Sequence, residues 1–272
     1  MMIERTYRGE EKPLKRVISD LFPEVTFSEI SACARRRDVK VDGVRVSLDH
    51  VLKDGSVVTI YPKNKKSVKV IYEDDQILAC YKPKGIASEG AVSFCTIVTA
   101  EKGDVRLMHR LDTNTDGILL FAKTDLAYQE LFDAMKAGQI KKEYLAEVYG
   151  VPPQKGSVEL SYYYKKDAER GRAVISDLPK DGFVPVSLSF CVEDRRVDSA
   201  LLRVVIHKGK MHQIRAMLAH FGYFILGDGK YGQDKVNRLM DVSKTRLTAC
   251  AVEFMLPTSS PLSYLNSIRI SL

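Results

Sequence analysis

Two carboxylates stand four positions apart in a polar segment that runs directly into an apolar stretch. They are Asp112 and Asp116, and the apolar stretch is 118–122. Two carboxylates can hydrolyse a glycosidic bond when they flank it. Asp112 is the better nucleophile candidate because Arg110 is its near neighbour, whereas Asp116 is more simply interpreted as a turn residue. Charged residues before a buried strand cost stability unless they are paired, so the segment suggests a functional loop on a rigid support.

Two other segments combine cations with groups suited to chemistry. Lys142 and Tyr144 are two positions apart, which would place a cation and a phenol on one face of a strand. An exposed alternating strand is an equally good interpretation of that pair. Basic side chains also crowd a glycine turn before a predicted helix, where backbone amides attract anions. The residues of this second segment are His207, Lys208, Lys210, His212, Gln213 and Arg215.

Several classes of site are missing from the sequence. It has no phosphate-binding loop of the nucleoside triphosphatase type, no dinucleotide-binding glycine motif and no zinc-protease motif. The five histidines lack the spacing of metal ligands, and the five cysteines share no C-x-x-C pair. We therefore expect no metal site, and kinase, ATPase and dinucleotide-dependent enzymes lose their main support.

Composition favours a soluble protein that binds polyanions. The chain has 272 residues, a formal net charge of +7 and 45% hydrophobic residues. A basic balance favours nucleic acid as the first partner to consider. We expect no membrane association, because no apolar run approaches about 18 residues and the first residues lack a signal-peptide core. A cytoplasmic location is the natural expectation.

The pattern of elements predicts an α+β protein with a small N-terminal domain. Residues 12–62 read as two helices followed by a hairpin around Asp42 and Gly43. A polar, basic segment, 63–67, follows and is predicted to be a linker. From 68 to 272, short strands outnumber helices without a regular strand–helix repeat. This predicts a mixed, largely antiparallel sheet with flanking helices.

Within the larger domain the elements can be placed approximately. One helix is expected to run through about Ala137, with Thr124 or Asp125 as its cap and Gly138 as a left-handed end. A second is expected over 211–221. The predicted strands cover 68–72, 77–81, 141–150, 187–191 and 199–206.

The N-terminal domain resembles the alpha-L motif, a small RNA-binding module shared with a ribosomal protein. The resemblance covers about fifty residues and rests on the helix–helix–hairpin order, on residues 39–43 and on Lys53-Asp54-Gly55. It departs from the family at Glu29, where a basic residue is usual, and at Arg37-Asp38, where glycine is usual. The predicted RNA-binding residues of this domain are Arg35, Arg36, Arg37 and Lys40.

The larger domain resembles the RluA-type pseudouridine synthases over about 68–272. An ordered set of motifs carries the resemblance, and Asp116 departs from it because serine is usual there. Lys210-Met211 is a second departure, at a place where Arg-Thr is usual. The matching motifs are Lys82-Pro83-x-Gly85, His109-Arg110-Leu111-Asp112-x-x-Thr115-x-Gly117, Lys142-x-Tyr144, Gly209-Lys210-x-His212-Gln213-Ile214-Arg215, Leu226-Gly227-Asp228 and Tyr231-Gly232.

This resemblance implies isomerisation of a uridine within RNA, without a cofactor. It makes Asp112 the catalytic carboxylate, which either attacks C1′ of the sugar or removes the C2′ proton. It implies that Arg215 pairs with Asp112, that Tyr144 packs on the uracil and that Arg110 fills the gap left by the flipped base. It also implies a monomer. Further residues expected to contact RNA or to position the loop are Lys82, His109, Lys142, Lys210, His212 and Gln213.

The target RNA stays open at this point. Ribosomal RNA is favoured by the N-terminal module, and transfer RNA is the alternative. A non-catalytic RNA-binding or ribosome-assembly protein would explain the charge and the module equally well. It would not explain why Asp112, Tyr144 and Arg215 occur together in context. A glycosidase that uses Asp112 and Asp116 is the third possibility.

Overall fold

In a computed structural model, the described residues are 2–25, 27–62 and 68–272. They form two compact units. The smaller unit comprises the described residues up to Val68 together with Ala87–Asp104, and the larger comprises Lys69–Ile86 and Val105–Leu272. The predicted linker, 63–67, lies outside the described residues. The predicted domains, 12–62 and 68–272, stay a prediction.

The smaller unit is built from helices and short antiparallel strands. Its helices are α1 (Leu14–Leu21), α2 (Phe27–Arg35) and α3 (Phe94–Lys102). Its strands are β1 (Ile3–Thr6), β2 (Lys12–Pro13), β3 (Val39–Val41), β4 (Val44–Arg45), β5 (Val51–Leu52) and β6 (Val57–Ile60). A sheet runs in the order β1-β6-β3-β4, and β2 pairs with β5.

The predicted hairpin of the smaller unit is confirmed. Strands β3 and β4 pair antiparallel, and the turn between them is Asp42-Gly43. Both turn residues have positive φ, +49° and +81°, which matches the twist of the strands and explains the Asp-Gly sequence. Beneath the sheet, α1 buries Leu14 and Ile18 in a common apolar core.

The larger unit is dominated by strands. Its helices are α4 (Asp125–Ala137), α5 (Gln213–His220) and α6 (Asp234–Leu239), with a 3₁₀ helix at Ser263–Ser267. Its strands are β7 (Lys69–Glu73), β8 (Ile77–Lys82), β9 (Arg106–Leu107), β10 (Asp116–Ala122), β11 (Ile140–Tyr149), β12 (Val158–Asp167), β13 (Arg172–Ser176), β14 (Val184–Arg195), β15 (Ser199–Ile206), β16 (Leu247–Phe254) and β17 (Arg269–Ser271).

These strands form a large mixed sheet in the order β13-β12-β14-β15-β11-β16-β10-β8-β7, with β17 on β16 and β9 on β10. Among the strand pairs of the described residues, β10 with β16 alone is parallel. The predicted α+β class with a largely antiparallel sheet is therefore confirmed. The strands of this sheet that were not predicted are β9, β12, β13, β16 and β17.

The close approach of β10 and β16 depends on a glycine. Gly117 has φ +121°, and a Cβ added there would lie 2.2 Å from the carbonyl oxygen of Ala249. Any other residue would force the two strands apart at the point where the Asp112 loop enters the sheet.

Helix α4 has the ends that the sequence predicted. The Thr124 hydroxyl accepts the amide of Ala127, and Gly138 ends the helix with φ +79°. The helix buries Ala127 and Leu131 against an apolar core that includes Ile118 of β10. Across the part of the chain that the structure describes, no helix is long and apolar enough to cross a membrane.

Candidate active site

Asp112 lies on a short loop that leads into β10, and its backbone is held firmly. The amide of Thr115 donates to the Asp112 carbonyl at 3.0 Å, which closes a turn. One residue further, the Thr113 carbonyl accepts the Gly85 amide at 2.8 Å. The loop is thus tied to the turn after β8, so the carboxylate has a fixed base.

Lys82 supplies the second tie. Its side chain is 0% exposed, and its ammonium group donates to the carbonyls of Pro83, Ile86 and Thr113. Burial lowers the pKa of Lys82 to about 8, although the charges of Asp116 and Asp112 partly oppose this. Of the two roles expected for Lys82, its contacts fit positioning of the loop.

The Asp112 carboxylate faces a buried guanidinium. Arg215 Nη1 lies 2.7 Å from Asp112 Oδ2. The other side of the guanidinium meets Asp228, with Nε at 2.7 Å from Oδ2 and Nη2 at 2.8 Å from Oδ1. His212 Nε2 lies 3.7 Å from the same Asp112 Oδ2. Arg215 and His212 therefore both face Oδ2, and no hydrogen bond from a described residue engages Oδ1, which is left open for a substrate.

Arg215 carries its charge permanently in this arrangement. Burial acts to lower its pKa, but the hydrogen bonds and charge of Asp228 and Asp112 raise it well above its ordinary value. The bidentate contact with Asp228 fixes the plane of the guanidinium. Nη1 is consequently aimed at Asp112 before any substrate arrives.

Asp228 is the anchor that the sequence motif did not assign. It is fully buried, and its carboxylate also accepts the amides of Lys230 and Tyr231. Burial acts to raise its pKa, but Arg215 and these amides lower it. The preceding Gly227 is required because a Cβ there would lie 2.2 Å from the Lys244 carbonyl oxygen. A carboxylate within a glycine-rich loop was the available sequence signal.

Tyr144 projects from β11 on the same face as Lys142. Strand β11 pairs regularly with β15 through this region, whereas its register with β16 shifts between Glu143 and Tyr144. The ring of Tyr144 is buried. Burial, and then the nearby Asp112 charge, raise the pKa of Tyr144 far above its ordinary value. Its phenol is therefore protonated at neutral pH, and any chemistry must start from that form.

The sequence suggests a turn residue at Asp116, whereas the structure makes it the first residue of β10 with its side chain turned toward neighbouring strands. Its Oδ2 accepts the Tyr81 hydroxyl and its Oδ1 accepts the Thr248 hydroxyl, both at 2.7 Å. Lys84 Nζ lies 3.5 Å from Oδ1. With both oxygens engaged by neighbouring strands, Asp116 is a poor partner for Asp112 in a glycosidase. It braces the start of β10 instead.

Lys142 is a buried cation without a counter-ion in the described residues. Its side chain is 7% exposed, and burial lowers its pKa to about 8. Nearby, His109 Nε2 accepts the amide of Leu120 at 3.3 Å. Burial, with the Lys142 charge, lowers the pKa of His109 to about 3, so the ring is neutral. His109 thus supports β10 directly, and its expected RNA contact stays a prediction.

Gln213 is also engaged within the protein. Its side-chain oxygen accepts the Lys210 amide at 2.9 Å, and its nitrogen donates to the Ser187 carbonyl at 2.9 Å. It therefore closes the turn before α5. Arg110, two residues before Asp112, and Lys210, on the turn before α5, are both exposed.

The predicted basic residues of the smaller unit differ in availability. Arg35 and Arg37 are exposed, whereas Arg36 is paired with Glu29 at 3.0 Å and with Asp38 at 2.9 Å. Lys40 lies over the ring of Tyr61, with its nitrogen 5.5 Å from the ring centre. The departure at Glu29 thus neutralises one of the predicted RNA contacts.

No group of three or more histidine, cysteine or acidic side chains within the described ranges is placed to hold a metal ion. The chemistry available at the site is that of a positioned carboxylate, a buried guanidinium and a protonated phenol. Those groups can act as nucleophile or base, as electrostatic partner and as a packing surface for a planar ring.

Comparison with known proteins decides which of these chemistries applies. A family model described as RNA pseudouridylate synthase matches residues 76–220. The chain belongs to this family. The synthase domain therefore includes Asp112, Tyr144 and Arg215, and the expectation of an isomerase that acts on RNA is confirmed.

Individual relatives agree with this assignment. The synthase is 27% identical over 261 residues to "Ribosomal large subunit pseudouridine synthase C" of Rickettsia bellii, covering 85% of each chain. It is 28% identical over 257 residues to the protein of that name from Haemophilus influenzae, covering 85% of this chain and 79% of the other. Among solved structures, "Human RNA Pseudouridylate Synthase Domain Containing 1" has a TM-score of 0.63 at 18% identity, over 78% of this chain and 86% of that one. This last likeness concerns the fold.

Proposed function

We propose that this synthase converts uridine to pseudouridine in ribosomal RNA, and that Asp112 is the catalytic carboxylate. The observation that carries the catalytic assignment is the Asp112–Arg215–Asp228 arrangement, in which a buried guanidinium orients one carboxylate oxygen and leaves the other open. The support for ribosomal RNA is the name shared by the relatives above and the resemblance of the N-terminal domain to a ribosomal-protein module.

The reaction needs no partner other than RNA. The bond from N1 of uracil to C1′ of ribose breaks, the base turns, and C5 bonds to C1′. The proton that leaves C5 is balanced by the proton that N1 gains. Asp112 Oδ1 either attacks C1′ or removes the C2′ proton, and both steps need the carboxylate in ionised form close to the sugar. Arg215 places a positive charge beside the carboxylate, with Nη1 2.7 Å from Oδ2.

A uridine within a helix cannot reach Asp112 unless it leaves the base stack. Flipping costs a few kcal/mol, which contacts in the pocket must offset. Tyr144 is suited to pack on the uracil because its ring is apolar and its phenol stays neutral. Arg110 is exposed on the loop that carries Asp112 and is proposed to fill the space left by the base.

Basic side chains of the motif segments and of the smaller unit are proposed to bind phosphates. Lys142 is the most informative of them, because its buried ammonium group has a lowered pKa and no acidic neighbour in the described residues offsets it. A phosphate would supply that missing counter-charge. Lys210, at the exposed edge, would add a solvent-accessible contact. In the smaller unit, Arg35 and Arg37 are the free candidates. Such contacts make affinity fall steeply with salt.

Two other functions are weaker. A glycosidase would need a second free carboxylate, and Asp116 is occupied by Tyr81 and Thr248. A protein that only binds RNA would have no need of a guanidinium that Asp228 fixes in place against the Asp112 carboxylate. Transfer RNA remains the alternative substrate for the same chemistry.

The target is tested by mapping pseudouridines with carbodiimide labelling in cellular RNA with and without this protein. Loss of one or a few sites in ribosomal RNA, restored by the intact chain and not by an Asp112→Asn variant, is the expected result. Loss confined to transfer RNA would overturn the proposed target but keep the reaction. Release of free uracil would overturn the reaction itself.

We further propose that the protein works in the cytoplasm as a monomer. Its cysteines, Cys33, Cys80, Cys95, Cys191 and Cys250, are free thiols, which is the usual state in a reducing compartment. The monomer rests on the family resemblance, and sedimentation of the purified chain tests it.

A further inference from the structure

His212 sits between the proposed catalytic carboxylate and an aromatic hydroxyl. It is the residue before α5 and has φ +56°, a left-handed conformation that is uncommon for residues other than glycine. Its Nε2 lies 3.7 Å from Asp112 Oδ2, and its Nδ1 lies 3.0 Å from the hydroxyl oxygen of Tyr231. The two ring nitrogens therefore face two different partners, so the position of the ring proton matters.

The Tyr231 hydroxyl is itself fixed from the other side. It accepts the backbone amide of Ala173, on β13, at 2.6 Å. A phenol has one proton to donate. Within the described residues, the second contact of this hydroxyl is His212 Nδ1. Donation from the phenol to Nδ1 satisfies both groups, and it leaves Nδ1 without a proton.

The partner of Nε2 leads to the same protonation state. A carboxylate only accepts, so a lone pair on Nε2 facing Asp112 would be repelled, whereas an N–H is attracted. At 3.7 Å this attraction is electrostatic rather than a formed hydrogen bond. Both ends of the imidazole thus favour the neutral form with its proton on Nε2.

Charges around the ring favour the neutral imidazole as well. Burial lowers the pKa of His212, and the charges of Arg215 and Lys230 act in the same direction, while those of Asp112 and Asp228 oppose them. Tyr231 is tied to the same cluster, because the centre of the Arg215 guanidinium lies 5.3 Å from its ring.

We propose that Tyr231, held by the Ala173 amide, keeps His212 in its Nε2–H form, and that this N–H positions Asp112 for the reaction. Arg215 gives Asp112 a single hydrogen bond, to Oδ2, about which the carboxylate can still turn. A second donor on the side of Oδ2 restrains that rotation and keeps Oδ1 toward the sugar. His212 is then a positioning residue, and this role rests on the proposed catalytic role of Asp112.

The β12–β13 hairpin thereby becomes part of the active site. Besides the Ala173 contact, the Tyr164 hydroxyl of β12 donates to the Met211 carbonyl at 3.3 Å, and Lys230 donates to the Gly171 carbonyl at 2.8 Å. These contacts hold the turn that carries His212 and the loop that carries Tyr231. A substitution in the β12–β13 hairpin is therefore expected to alter the position of the Asp112 carboxylate through His212 and Tyr231.

Two substitutions of His212 separate the proposal from a purely structural role. Glutamine can place an amide N–H near the position of Nε2, whereas the shorter asparagine places its amide nearer Nδ1. A purely structural role would favour asparagine instead, because asparagine tolerates the positive φ at position 212 better than glutamine does. We expect His212→Gln to keep kcat within about threefold of wild type and His212→Asn to lose about tenfold or more of kcat, with KM little changed in both.

A spectroscopic readout makes the test independent of activity. In protein labelled with ¹⁵N-histidine, the signals missing from His212→Gln identify His212. We expect its proton on Nε2 at neutral pH in the wild type, and a mixture of both neutral forms in Tyr231→Phe, which keeps the ring but removes the hydroxyl.

Each outcome bears on the proposal. A proton on Nδ1, an imidazolium at neutral pH, or an unchanged ring in Tyr231→Phe would overturn it. So would a wild type that forms pseudouridine while the glutamine and asparagine variants have equal kcat. A wild type with the Nε2–H ring that forms no pseudouridine would instead overturn the proposed function and with it the role of the ring.

Discussion

Replacing Asp228 by asparagine is predicted to destabilise the synthase strongly, because it breaks the buried pair on which Arg215 depends. The carboxylate is 0% exposed and receives Arg215 Nε and Nη2 at 2.7 and 2.8 Å. Asparagine keeps the shape but turns one acceptor into an NH₂ group. That NH₂ group would face a guanidinium donor, and Asp112 would be the one remaining carboxylate paired with the charge of Arg215.

The size of the effect follows from this geometry. Removing one partner of a buried ion pair costs about 3–5 kcal/mol, because the other charge stays buried without full compensation. For a unit of this size, each kcal/mol lowers the melting temperature by about 2–4 °C, which gives a fall of about 6–20 °C. Turnover should fall as well, since the guanidinium no longer has a fixed plane from which to orient Asp112.

Differential scanning calorimetry of the intact chain provides the assay, and Asp194→Asn is the matched control. Asp194 also pairs with an arginine, accepting one hydrogen bond from Arg196 Nε at 3.1 Å, but both side chains are about half exposed. An exposed pair contributes at most about 1 kcal/mol, so the control should melt close to wild type. If Asp228→Asn melts no lower than Asp194→Asn, the reasoning about the buried pair is refuted.

Three further changes test the neighbouring groups. With a pKa of about 8, Lys142 loses its charge as pH rises through that value, so RNA affinity should weaken between pH 7 and 9. Lys142→Met should remove this weakening, whereas Lys208→Met, at an exposed lysine, should keep it. Equal pH dependence of RNA affinity in both variants would contradict a phosphate contact at Lys142. Although burial opposes it, basic hydrogen-bond partners lower the pKa of Glu143 to about 2. Its contribution to stability is therefore present above about pH 4.3 and is lost as pH falls through about 2. Calorimetry should find that the melting temperature falls less steeply over this pH range in Glu143→Gln, and parallel curves of melting temperature against pH would refute this. Tyr144→Phe should keep the stacking surface but slow single turnover, and an unchanged rate would remove the hydroxyl from the mechanism.

Local sequence signals predicted those elements whose structure is determined by neighbouring residues. Local residues, Thr124 and Gly138, specify the two ends of helix α4. The Asp42-Gly43 turn likewise specifies the β3–β4 hairpin. The α+β class followed from the balance of short strands. These features depend on capping and turn geometry, which act over a few residues.

Long-range partners could not be predicted in the same way. Asp228 meets Arg215 because the loop that carries Asp228 packs against helix α5, and nothing in their spacing requires the contact. Strand β16 pairs with both β10 and β11, which lie more than a hundred residues earlier, and its sequence carries no turn signal of that pairing. The contact of Ala173 with Tyr231 uses a backbone amide, which no side-chain motif could indicate.

The motif residues also divided into roles that sequence alone does not distinguish. Lys82 and Lys142 are both buried lysines whose pKa is lowered to about 8. Lys82 donates to three carbonyls and holds the loop, whereas Lys142 has no acidic neighbour in the described residues. The difference arises from what surrounds each ammonium group in the folded protein.

The most direct test of the proposed catalytic role is tritium release from RNA that carries 5-tritiated uridine, measured for wild type and Asp112→Asn. Asparagine preserves the size of the side chain, so RNA binding should stay within about threefold of wild type. Release of label should cease, while Asp194→Asn releases it at the wild-type rate. Release by Asp112→Asn at the wild-type rate would contradict the assignment of Asp112 as the catalytic carboxylate.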